Sequence, residues 1–95
     1  MDVLDHSEVD AAIADLEWER QGDELVKVWS GRDFAAALQY VNAVGQLAER
    51  VNHHPDIDIL WNKVTLRLST HSAGGITKAD LEMARRIDGL ARQGS

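Results

Sequence analysis

Three of the four histidines stand where a fold could gather them: His53 and His54, directly before Pro55, and His71. Glu49 lies four residues before His53. If a helix persists that far, the two side chains share one face and can hydrogen-bond. A carboxylate beside an imidazole fixes its tautomer and favours the protonated ring, whereas a second imidazole nearby opposes that charge. A site built from both holds one histidine as acid and another as base near neutral pH. Loss of water needs that pairing, since one group takes a proton from nitrogen while another protonates the departing hydroxyl. The same residues fit two other readings. A His-His pair before proline also makes an ordinary polar helix end. Three histidines with Glu49 or Asp80 could ligate zinc or iron, although no tight pattern such as H-E-x-x-H is present. His6, near the N-terminus, is read as solvated.

The elements that must position these side chains can be read from periodicity. Ser7 is expected to cap a first helix, with Asp10 three residues on. Val9, Ala12, Ile13 and Leu16 keep helical spacing, and the helix should end near Leu16–Glu17. Trp18 to Ser30 reads as two short strands joined at Gln21-Gly22-Asp23, the second being Leu25-Val26-Lys27-Val28-Trp29. A long helix is expected from Arg32 to Arg50, capped by Ser30, with Asp33 in its first turn. Its apolar stripe is Phe34, Ala37, Val41, Val44, Ala48 and Val51. Pro55 disfavours helix at the residue before it and ends this element. Ile57, Ile59 and Trp61, then Val64, Leu66 and Leu68, alternate with polar residues as half-buried strands do. Asn62-Lys63 is expected as the turn between them, because asparagine tolerates positive φ. Gly74-Gly75 marks a loop. Thr77 should cap the last helix, with Asp80 at its third position, and Leu81, Ala84, Ile87 or Asp88, and Ala91 continue the period. Gly94-Ser95 reads as a tail. The order α-β-β-α-β-β-α implies an α+β two-layer sandwich, with three helices on one face of a four-stranded antiparallel sheet. The other face or a strand edge is left for self-association.

Bulk properties narrow the function. The 95 residues form a single domain, 1–95, by length. So small a chain has a thin core that a second copy would reinforce. The net charge of −6 and the lack of any Lys/Arg run argue against a nucleic-acid surface. With no cysteine there is no disulfide and no thiol nucleophile. The acidic N-terminus is no signal peptide. No segment reaches the roughly 20 apolar residues a membrane-spanning helix needs. A cytoplasmic location is the default expectation.

Four spaced blocks then agree with one family. Glu49 to Pro55 fits E-x-x-x-H-[HN]-P. Trp61-Asn62-Lys63-Val64 fits an aromatic-N-K-V strand. Thr70-His71-Ser72-Ala73-Gly74-Gly75 fits T-H-x-x-G-[GL], and Thr77-Lys78-Ala79-Asp80 fits a helix opening with [ST]-x-x-D. The chain resembles the pterin-4a-carbinolamine dehydratases, densely from Glu49 to about Ile87 and in element order upstream. The resemblance implies dehydration of 4a-hydroxytetrahydropterin to the quinonoid dihydropterin, with the pterin as substrate and no metal or organic cofactor. By the same resemblance His53 and His71 are the principal acid–base groups, His54 contacts the substrate, Glu49 orients His53, and Asp80 stabilises the site. His53, His54, Pro55, Thr70, His71, Ser72 and Ala73 are expected to line the pterin pocket. One departure stands out: many members carry tryptophan two residues after the proline, where this chain has Ile57. A homodimer or homotetramer is expected. Some family members also dimerise with a transcription factor through the long helix, which makes a non-catalytic interaction module the alternative, with Ala36, Ala37, Tyr40, Val41 and Val44 as its surface. A link to molybdenum-cofactor metabolism is a third reading, since the reactive ring is common to these pterins.

Overall fold

Val64, Leu66 and Leu68 all have zero exposure, whereas Thr65 and Arg67 between them are half-buried. This period of two builds β4 (Lys63–Leu68), the strand on which the sheet is centred. β4 pairs antiparallel with β3 (Asp56–Leu60) on one side and β2 (Glu24–Ser30) on the other, and β1 (Glu19–Gln21) lies outside β2. The strand order is β1-β2-β4-β3. Leu25, Lys27 and Trp29 stand opposite Leu68, Leu66 and Val64, while Ile57 and Ile59 stand opposite Leu66 and Val64, so these side chains share one face. Onto that face pack α1 (His6–Ala12), α2 (Phe34–Val51) and α3 (Lys78–Gln93). Val9, Ala37, Val44, Ala84 and Ile87 meet Leu25, Leu66 and Leu68 in one core. The α+β sandwich expected from sequence is thus the architecture of this computed structural model, which describes residues 2–93. Gly94-Ser95 and the burial of Ala91, both given expectations above, lie outside the described residues.

Element ends differ from the expectations, each for a local reason. Asp5, not Ser7, precedes α1, and its N–H donates to Glu8 Oε1 at 3.3 Å. α1 stops at Ala12, where the ladder gives way to three-residue turns (Ala14 N–H to the Ala11 carbonyl, Leu16 N–H to the Ile13 carbonyl), and the Glu17 N–H then meets Asp88 Oδ2 at 2.9 Å. α2 is capped by Asp33, whose Oδ1 accepts the Ala36 N–H at 2.8 Å, while Ser30 is still paired with Lys63 in the sheet. The β3–β4 turn is Trp61-Asn62, since Leu60 pairs with Lys63. The left-handed residue there is Trp61, at φ 54, and not Asn62. Asn62 instead grips Gly31: Nδ2 donates to the Gly31 carbonyl at 2.7 Å and the Asn62 carbonyl accepts the Gly31 N–H at 2.9 Å. A side chain at position 31 would meet the Trp29 ring at 2.6 Å, so this close approach requires glycine.

Two polar features sit inside the core. Lys27 points to the helix face, where its Nζ lies 2.7 Å from Asp88 Oδ1 and 3.3 Å from Glu17 Oε1. Asp88 also accepts Trp18 Nε1–H at 2.9 Å. Tyr40 stacks on Trp29 with ring centroids 4.3 Å apart and planes 4° from parallel. Its hydroxyl is buried without a partner among the described residues. Desolvation, helped by the Asp88 and Glu17 carboxylates, pushes the phenol well above its ordinary value. Ala37, Tyr40 and Val44 are therefore core residues of this chain, not the surface of an interaction helix.

Asp88→Ala should lower stability by about 3–5 kcal/mol, because it leaves Lys27 buried without its nearest counter-charge. The urea midpoint reads that loss, and Lys27→Met combined with Asp88→Leu should recover the part due to the stranded charge, the Trp18 and Glu17 N–H groups staying unmet. Tyr40 is the one tyrosine, so an ultraviolet titration reports it alone. The fold keeps its phenolic proton where the unfolded chain loses it at pH about 10. Stability is thus undiminished below that pH and falls above it, and phenolate should appear only as the circular dichroism of the fold is lost.

Candidate active site

The site begins where α2 ends. Asn52 takes the left-handed conformation, φ 54, and Pro55 follows within three residues. The His53 N–H still reaches the Ala48 carbonyl at 3.2 Å, so the exit is tied to the last helical turn. This turn carries His53 toward α3, where its Nε2 lies 2.5 Å from Asp80 Oδ1. Asp80 sits in the first turn of α3 and has zero exposure. Its second oxygen, Oδ2, accepts the Thr77 N–H and the Thr70 hydroxyl, both at 2.9 Å. Thr70 follows β4 and forms an isolated bridge with Gly75. Three separate stretches of chain therefore converge on one carboxylate.

The pairing of carboxylates with histidines corrects the expectation from sequence. Glu49 does not orient His53. Its Oε2 lies 2.5 Å from His54 Nε2, and the partner of His53 is Asp80. The physical cause is Asn52: once it leaves helical φ, the face shared by residues four apart no longer extends to His53. The two pairs differ in setting. His54 and Glu49 are 53% and 77% exposed, against 20% and 0% for His53 and Asp80. Water screens the first pair far more than the second.

The remaining expected residues are more dispersed. His71 is exposed in the turn after Thr70, where its carbonyl accepts the Gly74 N–H at 3.2 Å, with Gly74 at φ 82. His71 lines a cavity of about 310 Å³ with Asp23, Glu24 and Ser69. His53 lines another, of about 150 Å³, with Val51, Glu82, Met83 and Arg86. The two rings thus open on different cavities, and the Thr70–Asp80 hydrogen bond ties the segment that carries His71 to the carboxylate that meets His53. Pro55 and Ala73 are half-buried and Ser72 is exposed. Among the described residues no three His, Cys, Asp or Glu side chains gather as a metal site would require. Thr77 was expected only as a cap; its hydroxyl also lies 2.8 Å from that of Thr70.

Comparison with solved structures gives the class. A structure from Brucella melitensis titled as a transcriptional coactivator/pterin dehydratase superposes with a TM-score of 0.88 at 29% identity, covering 95% of this chain and 99% of that one. A pterin dehydratase-like protein identified as a RuBisCO assembly factor of the alpha-carboxysome shares the fold, with a TM-score of 0.64 at 23% identity over 80% of this chain and 88% of its own. A pterin dehydratase-like fold, with carboxylate-bound histidines where its long helix ends, is thus the class. The family model for pterin 4 alpha carbinolamine dehydratase matches residues 2–90, and the chain belongs to that family. Proteins assigned provisionally to pterin-4-alpha-carbinolamine dehydratase are 48% identical in Nocardia farcinica, over 96% of this chain and 97% of that one, and 47% identical in Mycobacterium tuberculosis, over 95% and 97%. One from Thermomicrobium roseum is 49% identical over 86% of this chain and 94% of its own.

Asp80→Ala should cost about 2–3 kcal/mol, since it strips a buried cap and leaves the Thr77 N–H and Thr70 hydroxyl unmet. Glu49→Ala should cost less than about 1 kcal/mol, as an exposed pair does. Denaturant midpoints of the two variants measured side by side test this ranking.

Proposed function

We propose that the chain converts 4a-hydroxytetrahydropterin to quinonoid dihydropterin and water by histidine acid–base catalysis, without a metal or organic cofactor. The observation that carries this reading is the His53–Asp80 pair, seated by Thr70 and the Thr77 N–H, in a chain of this family. The carbon–oxygen bond at the hydroxylated ring carbon breaks and its electron pair leaves with oxygen. A protonated histidine supplies the proton that completes water. A neutral histidine takes the proton from the neighbouring ring nitrogen, whose electrons form the new carbon–nitrogen double bond. His53 and His71 fill these two roles, with the pterin spanning the surface between their cavities. His54, held by Glu49, contacts the substrate, and Pro55, Ser72 and Ala73 border it. Such assistance contributes about 10²–10⁴-fold, which suits a site without nucleophile or oxyanion hole.

The protein is proposed to work as a homo-oligomer in the cytoplasm. β3 is an edge strand, and Leu60 and Trp61 at its hairpin are 76% and 61% exposed, which supports pairing of copies there. No helix among the described residues is long and apolar enough to cross a membrane.

The decay of freshly generated 4a-hydroxytetrahydropterin, followed by ultraviolet absorbance, should be accelerated by the protein. His53→Ala and His71→Ala should each remove most of that acceleration, about 10²-fold or more. A wild-type rate in both variants would show that the mechanism is wrong.

A further inference from the structure

We infer that Thr77 is a positioning residue for His53, acting through Thr70 and Asp80, and that the nitrogen of His53 which exchanges protons with substrate is Nδ1. This rests on the reading of His53 as an acid–base group. The argument follows hydrogens through the contacts. A carboxylate only accepts, so the Thr70 hydroxyl donates to Asp80 Oδ2 across 2.9 Å. That uses the one hydrogen on Thr70 Oγ1. The 2.8 Å contact between the two threonine hydroxyls must then be a donation from Thr77 to Thr70. Thr77 Oγ1 in turn accepts the Ala79 N–H at 3.3 Å. The chain runs in one direction, from the backbone of α3 through Thr77 and Thr70 to Asp80, and no hydrogen in it is free to reverse.

Asp80 Oδ2 also accepts the Thr77 N–H, so this oxygen is met twice, and Oδ1 is left to face His53. His53 Nε2 must donate to it across 2.5 Å. The neutral ring therefore carries its hydrogen on Nε2 and its lone pair on Nδ1. Thr77 has zero exposure, its hydrogen bonds go to Thr70, Asp80 and Ala79 and not to His53, and it does not line the cavity that His53 lines. Its effect on the ring is indirect. Without its hydroxyl, Thr70 Oγ1 loses a donor and is free to rotate from Asp80, and the Ala79 N–H loses its acceptor. The carboxylate then has a looser seat and no longer holds one tautomer.

The test combines a signal that needs no turnover with one that does. Ring-nitrogen shifts of His53, from long-range proton–nitrogen correlation of labelled protein, should show the Nε2–H tautomer in the wild type. In Thr77→Val they should move toward a mixture of tautomers. The dehydration kcat should fall about tenfold, the order expected when a partner that orients a functional side chain is lost, with KM little changed. Thr77→Ser, which keeps the hydroxyl, should restore both signals. If Thr77→Val fails to fold, Thr70→Val breaks the same chain while leaving the Thr77 N–H on Asp80. An Nδ1–H tautomer in the wild type overturns the assignment, as does an unchanged His53 signature in both valine variants. A protein that shows the Nε2–H tautomer yet does not dehydrate the pterin would refute the proposed function while leaving the hydrogen-bond chain standing.

Discussion

A carboxylate with no exposed surface must be met wholly by protein groups, and Asp80 is met by three. The Thr77 N–H belongs to the start of α3, the Thr70 hydroxyl to the exit of β4, and the His53 ring to the exit of α2. These are three separate segments, and the Thr70 and Thr77 hydroxyls, 2.8 Å apart, tie two of them together a second time. Displacing any one of them would leave a charge without its full set of donors inside the protein, at a cost of several kcal/mol in a domain whose total stability is about 5–15 kcal/mol. The geometry around His53 is therefore as firm as the fold itself.

α3 carries a second buried carboxylate two turns further on. Asp80, Ala84 and Asp88 recur at intervals of four and lie on one face, all buried against the sheet and its neighbours. Asp88 holds Lys27, Trp18 and the Glu17 backbone, so the far end of the helix is anchored to β2 and to the segment after α1. Sliding α3 by one turn would strand both Lys27 and His53. The helix thus sets the register between the sheet and the site by charge as well as by the packing of Met83, Ala84 and Ile87.

Against this rigid pair, His54 and Glu49 form an exposed couple whose worth in stability is small. Two adjacent histidines in the sequence thus acquire opposite physical settings. His53 is seated against the buried Asp80, while His54 stands in solvent. His71, also exposed, sits in a turn shaped by the left-handed Gly74. The site pairs one fixed imidazole with two more accessible ones.

Much of this was legible in the residues. The alternation of Val64, Leu66 and Leu68, the stripe of α2 and the stop at Pro55 are short-range patterns, and they sufficed for the fold class and the order of elements. The spaced blocks around His53, Thr70 and Asp80 sufficed for the family. Turn and cap positions were legible only to within one to three residues. Asn62 carried the local signal for positive φ, yet the ladder between Leu60 and Lys63 put that conformation on Trp61 and left Asn62 to hold Gly31. Lys27 read as one polar residue in a β-rich run, and nothing nearby announced that it would be buried against Asp88. Glu49 stood at helical spacing from His53, yet the turn at Asn52 gave it to His54. The sequence by itself determined which elements form, in what order, and which residue types the site contains. Only the tertiary structure decided which carboxylate meets which imidazole, because the energy of a buried charge depends on donors that folding brings together from separate segments of the chain.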